Sequence, residues 1–189
     1  MWSYRYCRTE TPGPGRQLKP QRARVACVIL AVICGSLLAS AAFAGDWIAD
    51  VAGGCRVWNP HPHGGETIRW SGPCVNGFAH GRGTAQWLRN NAPYETDEGE
   101  WRDGRQIGHG TQVWPAGSYD GDLVDSEPDG RGKLTLQGVR YEGSFHAGKP
   151  NGPGTLTKGD EVFAGNWSDG CFRDANRRAS FLVPRSACR

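Results

Sequence analysis

One stretch of this 189-residue sequence, residues 143–150 (GSFHAGKP), comes within one residue of a phosphate-binding loop. That loop follows the pattern G-x-x-x-x-G-K-[ST], in which the backbone cradles phosphate and the final hydroxyl contacts Mg²⁺. Pro150 stands where the hydroxyl is needed, and no helix is predicted to follow. The stretch therefore does not predict a nucleotide site.

Two other groups contain the residue types of metal ligands. Cys55, His61 and His63 could bind a soft metal ion, but two prolines extend that segment and Cys55 is better explained as a disulfide partner. The acidic residues between positions 120 and 129 do not have the spacing of an EF-hand loop and are typical of a solvated charge run. We predict no metal site and no cofactor.

The sequence also lacks the common catalytic signatures. G-x-S-x-G, H-E-x-x-H and C-x-x-C are absent, so no nucleophile is placed beside a base by a known spacing. Outside the repeats described below, residues 45–67 and 174–189 are too few for a catalytic domain. We predict that the protein is not an enzyme.

The first 44 residues have the composition of a secretory signal peptide. They carry a net charge of +5, whereas residues 45–189 carry −2. A cationic n-region (1–24), an uncharged h-region (25–38) and an A-x-A ending predict cleavage after Ala44. Residues 25–44 are also long enough to span a membrane, so an inner-membrane anchor is the alternative. In both cases the rest of the chain is expected to be exported, to the periplasm or the extracellular space.

The start of the chain has two interpretations. An n-region of 24 residues is unusually long, and translation from Leu18 would leave a leader of ordinary length. Met1 and Leu18 both remain candidate starts.

Export changes what the cysteines indicate. Removal of the leader leaves four, an even number in an oxidising compartment, which suggests two disulfides with three possible connectivities. We favour Cys55–Cys74 and Cys171–Cys188 because each pair brackets one end of a repeat array.

The array is visible in the glycines. Gly99, Gly121, Gly143 and Gly165 recur with a period of 22, each within an acidic or aromatic stretch, and an earlier copy is centred on Gly72. Nine residues after each of the first four centres a Gly-x-Gly begins. Residues 68–173 therefore hold four full repeats and one half repeat, preceded by an N-terminal cap (45–67) and followed by a basic C-terminal tail or cap (174–189).

Each repeat predicts one β-hairpin. An aromatic-x-Gly-x-aromatic strand places two rings on one face, and the glycine between them leaves room for a neighbouring ring. Residues 102–108 are expected to form the turn of one such hairpin, with Gly104 at positive φ. Ser126 stands where the next hairpin would have its turn glycine, so we expect that hairpin to be looser.

The pattern Tyr-x-Gly-x-Trp/Phe-x-x-Gly-x-x-x-Gly-x-Gly resembles the MORN repeat (membrane occupation and recognition nexus), most clearly at residues 141–157 (YEGSFHAGKPNGPGTLT). The flanks, CRVWNPHP and GNWSDGCFR, resemble those of exported bacterial proteins with such arrays. The resemblance implies an all-β fold, an elongated single-layer antiparallel sheet of stacked hairpins, used to bind proteins or lipids. Cys74, Asp97 and Leu123 depart from the pattern, since each replaces an expected aromatic residue.

The two faces of such a sheet should differ. Most of the rings are expected to form the core, and their edges to border an open groove that binds a partner. The ring residues assigned to this groove are Trp70, Trp101, Tyr119, Tyr141, Phe145 and Trp167. Alternation sends acidic residues such as Glu98 and Asp120 to the opposite face, and residues 45–170 carry −6, which disfavours nucleic acid.

These features predict a non-catalytic interaction module that binds a protein partner in the periplasm or cell envelope. The alternative is a peripheral membrane protein that binds anionic lipid headgroups. In that case the ligands would be four arginines of the basic tail, Arg173, Arg177, Arg178 and Arg185. The oligomeric state is not predicted.

Overall fold

The computed structural model describes residues 45–188. The predicted leader (1–44) lies outside the described residues. The predictions that concern it, namely the cleavage site, the anchor alternative and the two candidate starts, therefore fall there as well. The described residues contain fifteen β-strands and one short 3-10 turn, Arg185–Ala187. The strands are β1 (Asp46–Ala49), β2 (Arg56–Asn59), β3 (Glu66–Trp70), β4 (Cys74–Val75), β5 (Phe78–Ala79), β6 (Gly81–Arg89), β7 (Ala92–Arg102), β8 (Arg105–Trp114), β9 (Gly117–Val124), β10 (Glu127–Leu136), β11 (Val139–His146), β12 (Lys149–Lys158), β13 (Glu161–Ser168), β14 (Cys171–Arg173) and β15 (Arg178–Ser180).

Eleven of these strands form one open antiparallel sheet, here called the array sheet. Its order is β3-β6-β7-β8-β9-β10-β11-β12-β13-β14-β15, so nearly every strand pairs with its neighbour in sequence. The other four form a small N-terminal sheet in the order β1-β2-β5-β4. An unclosed row of stacked hairpins is the fold class predicted from the repeat, and it is confirmed.

Most hairpins close through two residues that both have positive φ, which matches the right-handed twist of the flanking strands. Asp103 (φ 50°) and Gly104 (φ 77°) form one such turn, which is shorter than the predicted 102–108 because β8 already begins at Arg105. Ser126 adopts φ 69° in the next repeat, and β9 and β10 still pair directly on either side of it. The expected loosening of this hairpin is therefore not seen.

A line of glycines crosses the array sheet and lets the tyrosine rings lie flat against the backbone. The paired glycines are Gly83↔Gly99, Gly110↔Gly121, Gly121↔Gly132, Gly132↔Gly143, Gly143↔Gly154 and Gly154↔Gly165. A methyl group at Gly132 would overlap the ring of Tyr119, and one at Gly154 would overlap that of Tyr141. The glycines that make room for these rings are thus on the facing strand, whereas the central glycines Gly121 and Gly143 lie against the glycine of the paired strand and the hydroxyl of the tyrosine on their own strand.

The core lies on the ring-bearing face in two clusters. One joins Tyr119, Tyr141 and Trp167 to the C-terminal strands, and the other joins Trp87 and Trp101 to the N-terminal sheet. Rings within a cluster meet edge to face, as with Tyr141 and Trp167 at 5.4 Å between centroids, a favourable arrangement for aromatic pairs. The rings of the first cluster therefore bury one another, whereas Trp87 and Trp101 are buried against residues of the N-terminal sheet.

Both predicted disulfides are present and both close an end of the array. Cys55 and Cys74 tie the N-terminal sheet together across 19 residues of sequence, and Cys171 and Cys188 join β14 to the chain end across 17. The C-terminal segment is not a loose tail, because β15 pairs with β14 and Phe181 is buried against Tyr141.

Candidate binding groove

A cavity of about 310 Å³, here called the central cavity, opens on the ring-bearing face of the array sheet. It is lined by residues 58–63, which comprise the end of β2 and the segment after it, by residues from β6 to β10, and by Gly148 and Leu182. Its aromatic lining consists of Trp58, Trp87, Tyr94, Trp114 and Tyr119. A concave, largely apolar site of this size with a few polar groups is typical of a binding pocket for a small group.

Two carboxyl groups line this cavity side by side. Glu95 and Asp97 are two residues apart on β7, so both side chains lie on the same face of the strand. Asp97 is 3% exposed, and its Oδ2 accepts a 2.6 Å hydrogen bond from Trp87 Nε1. Its Oδ1 is buried and receives no N–H or hydroxyl donor among the described residues; its neighbour is the carboxyl of Glu95. Two acids in this position must share a proton.

Burial dominates the titration of both acids. Burial, opposed by a hydrogen bond from Asp97 and assisted by the nearby charge of Glu66, raises the pKa of Glu95 to about 7. Burial, followed by the negative charge of Glu95, holds the pKa of Asp97 well above its ordinary value. The pair therefore binds a proton near neutral pH, where isolated carboxyls have lost theirs.

A third acid, Glu66, fixes the rim of the cavity in a different way. Its carboxylate accepts hydrogen bonds from Asn59 Nδ2 (2.9 Å), the His63 backbone N–H (2.9 Å), Tyr94 OH (2.6 Å) and Arg89 Nη2 (3.2 Å). Burial alone would raise the pKa of Glu66, but these hydrogen bonds outweigh it and the pKa is lowered. Glu66 is thus a satisfied anion that holds the segment after β2 against the array sheet.

Polar side chains continue the cavity toward β10, at positions where later repeats are apolar. Gln112 occupies the place of Leu134 in the next repeat, and its Nε2 donates to Gln106 Oε1 at 3.2 Å. Gln106 is fully buried, and its backbone N–H donates to Ser126 Oγ at 3.0 Å. This part of the array has exchanged apolar packing for a hydrogen-bonded network beside the cavity.

The ring residues assigned to the groove mostly belong to the core. Trp101, Tyr119, Tyr141, Phe145 and Trp167 are each at most 3% exposed. Trp70 is half-buried, packs against Trp101 and donates from Nε1 to the Pro73 carbonyl at 2.9 Å. Of the six, Tyr119 lines the central cavity. The accessible rings of the groove are mainly those of Trp58 and Trp114, which the sequence analysis did not select.

The sequence marks one member of the acid pair as unusual. Asp97 is the residue that replaces an aromatic ring in the repeat pattern, at the place of Tyr119 and Tyr141. Glu95 has no such signal, because the corresponding positions, Gly117, Val139 and Glu161, follow no rule.

The opposite face carries mixed charge and is not simply acidic. His109 contacts both Asp120 (3.1 Å) and Asp122 (3.6 Å), and Arg140 forms an ion pair with Glu142. The hydrogen bond from Arg140 lowers the pKa of Glu142. The predicted acidic residues do lie on this face, but neighbouring strands supply basic partners.

The four tail arginines are divided between two places. Arg177, Arg178 and Arg185 line one cavity of about 380 Å³ together with Lys158, whereas Arg173 lies elsewhere, beside Lys149. Arg177 is already engaged: Nε and Nη2 donate to Asp174 Oδ2 (3.0 and 2.9 Å) and Nη1 donates to the Val162 carbonyl (2.8 Å). We call the site of the first three arginines the basic cavity.

The described residues contain neither a metal-binding cluster nor a membrane-spanning helix. Between residues 45 and 188 no three His, Cys, Asp or Glu side chains gather as a metal site would require. Cys55 is in its disulfide, while His63 lies 3.2 Å from Glu66. No helix in the same part of the chain is long and apolar enough to cross a membrane.

Comparison with known families matches four stretches of the array. The MORN repeat matches residues 75–87, 98–118, 119–137 and 141–161. These stretches cover β6 to β12 of the array sheet together with β5, and MORN repeats commonly bind proteins or lipids. No curated protein matches the chain. The period-22 glycines, the stacked hairpins and these four matches agree, and the chain is a MORN-repeat protein.

Proposed function

We propose that this protein is an exported, non-catalytic module that binds a segment of a protein partner in the periplasm or cell envelope. The observation that carries the proposal is the central cavity, which Trp58 and Trp114 line together with the buried carboxyl of Asp97 and the half-buried carboxyl of Glu95. Aromatic walls with a few convergent polar groups are how protein surfaces anchor a partner's side chains.

Export is supported by the leader composition and by the two disulfides, which persist in oxidising compartments. The intact mass of the protein from cells tests this. A chain beginning at Gly45 with all four remaining cysteines oxidised is expected. Retention of residues 25–44 would indicate the membrane-anchored alternative, whereas four free thiols would contradict export.

Binding can be tested with two neighbouring residues of β8. Trp114 lines the central cavity, whereas the adjacent Val113 is 53% exposed on the opposite face. In-cell crosslinking of the exported protein would first identify the partner. The purified partner should then bind Trp114→Ala at least tenfold more weakly than wild type and bind Val113→Ala normally. Equal effects of the two variants would refute a partner site in the groove.

A second candidate, binding of anionic lipid headgroups, is favoured by the basic cavity. Four cations converge there, and each basic group near an anionic surface attracts it by about 1 kcal/mol. Because Arg177 is engaged with Asp174, Arg178 and Arg185 would provide most of this attraction. Sedimentation with phosphatidylserine vesicles that is lost in Arg178→Gln/Arg185→Gln would support this candidate, and sedimentation unchanged by it would reject it.

A further inference from the structure

The central cavity contains two acids, Glu95 and Asp97, that form no ion pair with a basic side chain. Among the described residues that line it there is no lysine or arginine. Its two histidines lie beside other acids, His61 at 3.8 Å from Glu127 and His63 at 3.2 Å from Glu66. The two arginines nearby are used elsewhere, since Arg89 donates to Glu66 and lies over Tyr94, and Arg105 lies over Trp58. The cavity therefore complements a cation that this part of the chain does not supply.

A carboxyl group at the position of Asp97 also lowers the stability of the fold. In the next two repeats the same position holds a tyrosine that packs over a glycine, with its hydroxyl bonded to the backbone of its own strand. A buried carboxyl with an oxygen that no N–H reaches costs folding free energy. Asp97 lines the central cavity, so a donor on a ligand that enters there could satisfy this group.

The walls indicate the kind of cation. Leu134, Leu136 and the ring of Trp114 would surround an aliphatic stem, and an ammonium group favours the faces of aromatic rings. Once the shared proton has left, the two carboxylates require hydrogen-bond donors, which a quaternary ammonium lacks. A primary ammonium on a flexible four-carbon stem, the lysine side chain, supplies three donors in a compact head.

We propose that the central cavity binds a lysine side chain of the protein partner, with its ammonium group between the carboxyl groups of Glu95 and Asp97. This inference rests on the proposed function for the source of the lysine, but its chemistry can be tested alone. Arrival of the cation expels the proton that the two acids share, and that proton passes to solvent. Binding is thereby coupled to pH.

Other ionisable or charged groups lie around the cavity. They are His61 and His63 from the segment after β2, Glu66 from β3, Arg89 from β6, Tyr94 from β7, Tyr119 from β9 and Glu127 from β10. Glu66 is held as an anion by its four donors, and His61 lies 3.8 Å from Glu127 at the rim. The acid pair is the buried group that must change its protonation when a cation enters.

The test titrates the protein isolated from cells with Nα-acetyl-lysine N-methylamide by calorimetry, in two buffers that differ in ionisation enthalpy. The norleucine analogue, which has no ammonium group, is the matched probe. We expect the lysine probe to bind at least tenfold more tightly than norleucine at pH 8, to weaken severalfold at pH 6, and to release protons at pH 7. Equal binding of the two probes, or affinity independent of pH, would overturn the proposal; both readouts use the wild-type protein.

Two variants then locate the site. Asp97→Asn should weaken the lysine probe at least tenfold, whereas Glu98→Gln, an exposed acid one residue further along β7 on the opposite face, should bind it as wild type does. Glu95→Gln serves as a second variant if Asp97→Asn does not fold. Normal lysine binding with no partner at the groove would refute the proposed function and support this site. Normal partner binding by folded Asp97→Asn would overturn the lysine inference and leave the proposed function standing.

Discussion

The acid pair should make the protein less stable as pH rises through neutrality. An acid whose pKa is higher in the folded state keeps its proton more tightly there, so the folded state is favoured at low pH and loses that advantage as pH approaches the folded pKa. For Glu95 the pKa rises from 4.5 to about 7, and at about 1.4 kcal/mol per pKa unit this is worth on the order of 3 kcal/mol. Asp97 acts in the same direction.

Asp97→Asn should remove most of this dependence. Its oxygen can still accept from Trp87 Nε1, and its amide can donate to the carboxylate of Glu95, which favours the charged form. We expect the variant to be more stable than wild type by about 2–3 kcal/mol at pH 8 and within about 1 kcal/mol of it at pH 5.

Urea unfolding followed by tryptophan fluorescence at pH 5, 6, 7 and 8, with disulfides intact, measures the difference. Other titrating groups cancel because variant and wild type share them. Glu98→Gln is the control and should differ from wild type by a constant amount of less than about 0.5 kcal/mol. A difference between Asp97→Asn and wild type that is the same at all four pH values would refute the reasoning.

Three further predictions concern the array itself. Replacing Cys171 and Cys188 together by serine should lower the free energy of unfolding by about 3 kcal/mol, since the bond closes a loop with a separation of 17 residues; an unchanged urea midpoint would contradict this. Gly154→Ala should cost about 1–3 kcal/mol because the new methyl group overlaps Tyr141, whereas Gly64→Ala, with open space around it, should change the thermal midpoint little. Ala147→Asn should raise stability by about 0.5–1 kcal/mol, since Ala147 adopts φ 46° at the first position of a hairpin turn, where asparagine is better tolerated; a lower midpoint would show that the turn is held by other contacts.

The fold could be predicted because the spacing of the repeat determines both the strand pairing and the face on which the rings lie. A glycine every 22 residues specifies where strands pair, and the residues on either side specify which face holds the rings. Placing one cysteine pair at each end followed from the same spacing. Ser126 does not loosen its hairpin as predicted. The sequence does not show that the backbone N–H of Gln106 donates a hydrogen bond to the Ser126 hydroxyl.

The site was less accessible to sequence reasoning. A row of aromatic residues is consistent with either a core or a binding surface, and in the structure Trp101 and Tyr141 are both buried, in different core clusters. The cavity depends on a contact between distant segments, in which Glu66 holds residues 59–63 beside Trp114. No local pattern encodes that approach, so Glu95 and Trp114 could be assigned only once the segments had been brought together.

Position-resolved photo-crosslinking tests the central claim, that the partner binds on the ring-bearing face, most directly. A photoreactive residue is placed at Trp114 in one variant and at Val113 in another. The two positions are adjacent on β8, but their side chains point to opposite faces of the array sheet. We predict that position 114 crosslinks the partner in cells and that position 113 does not. Crosslinking from position 113 alone would contradict the claim and place the working surface on the opposite face.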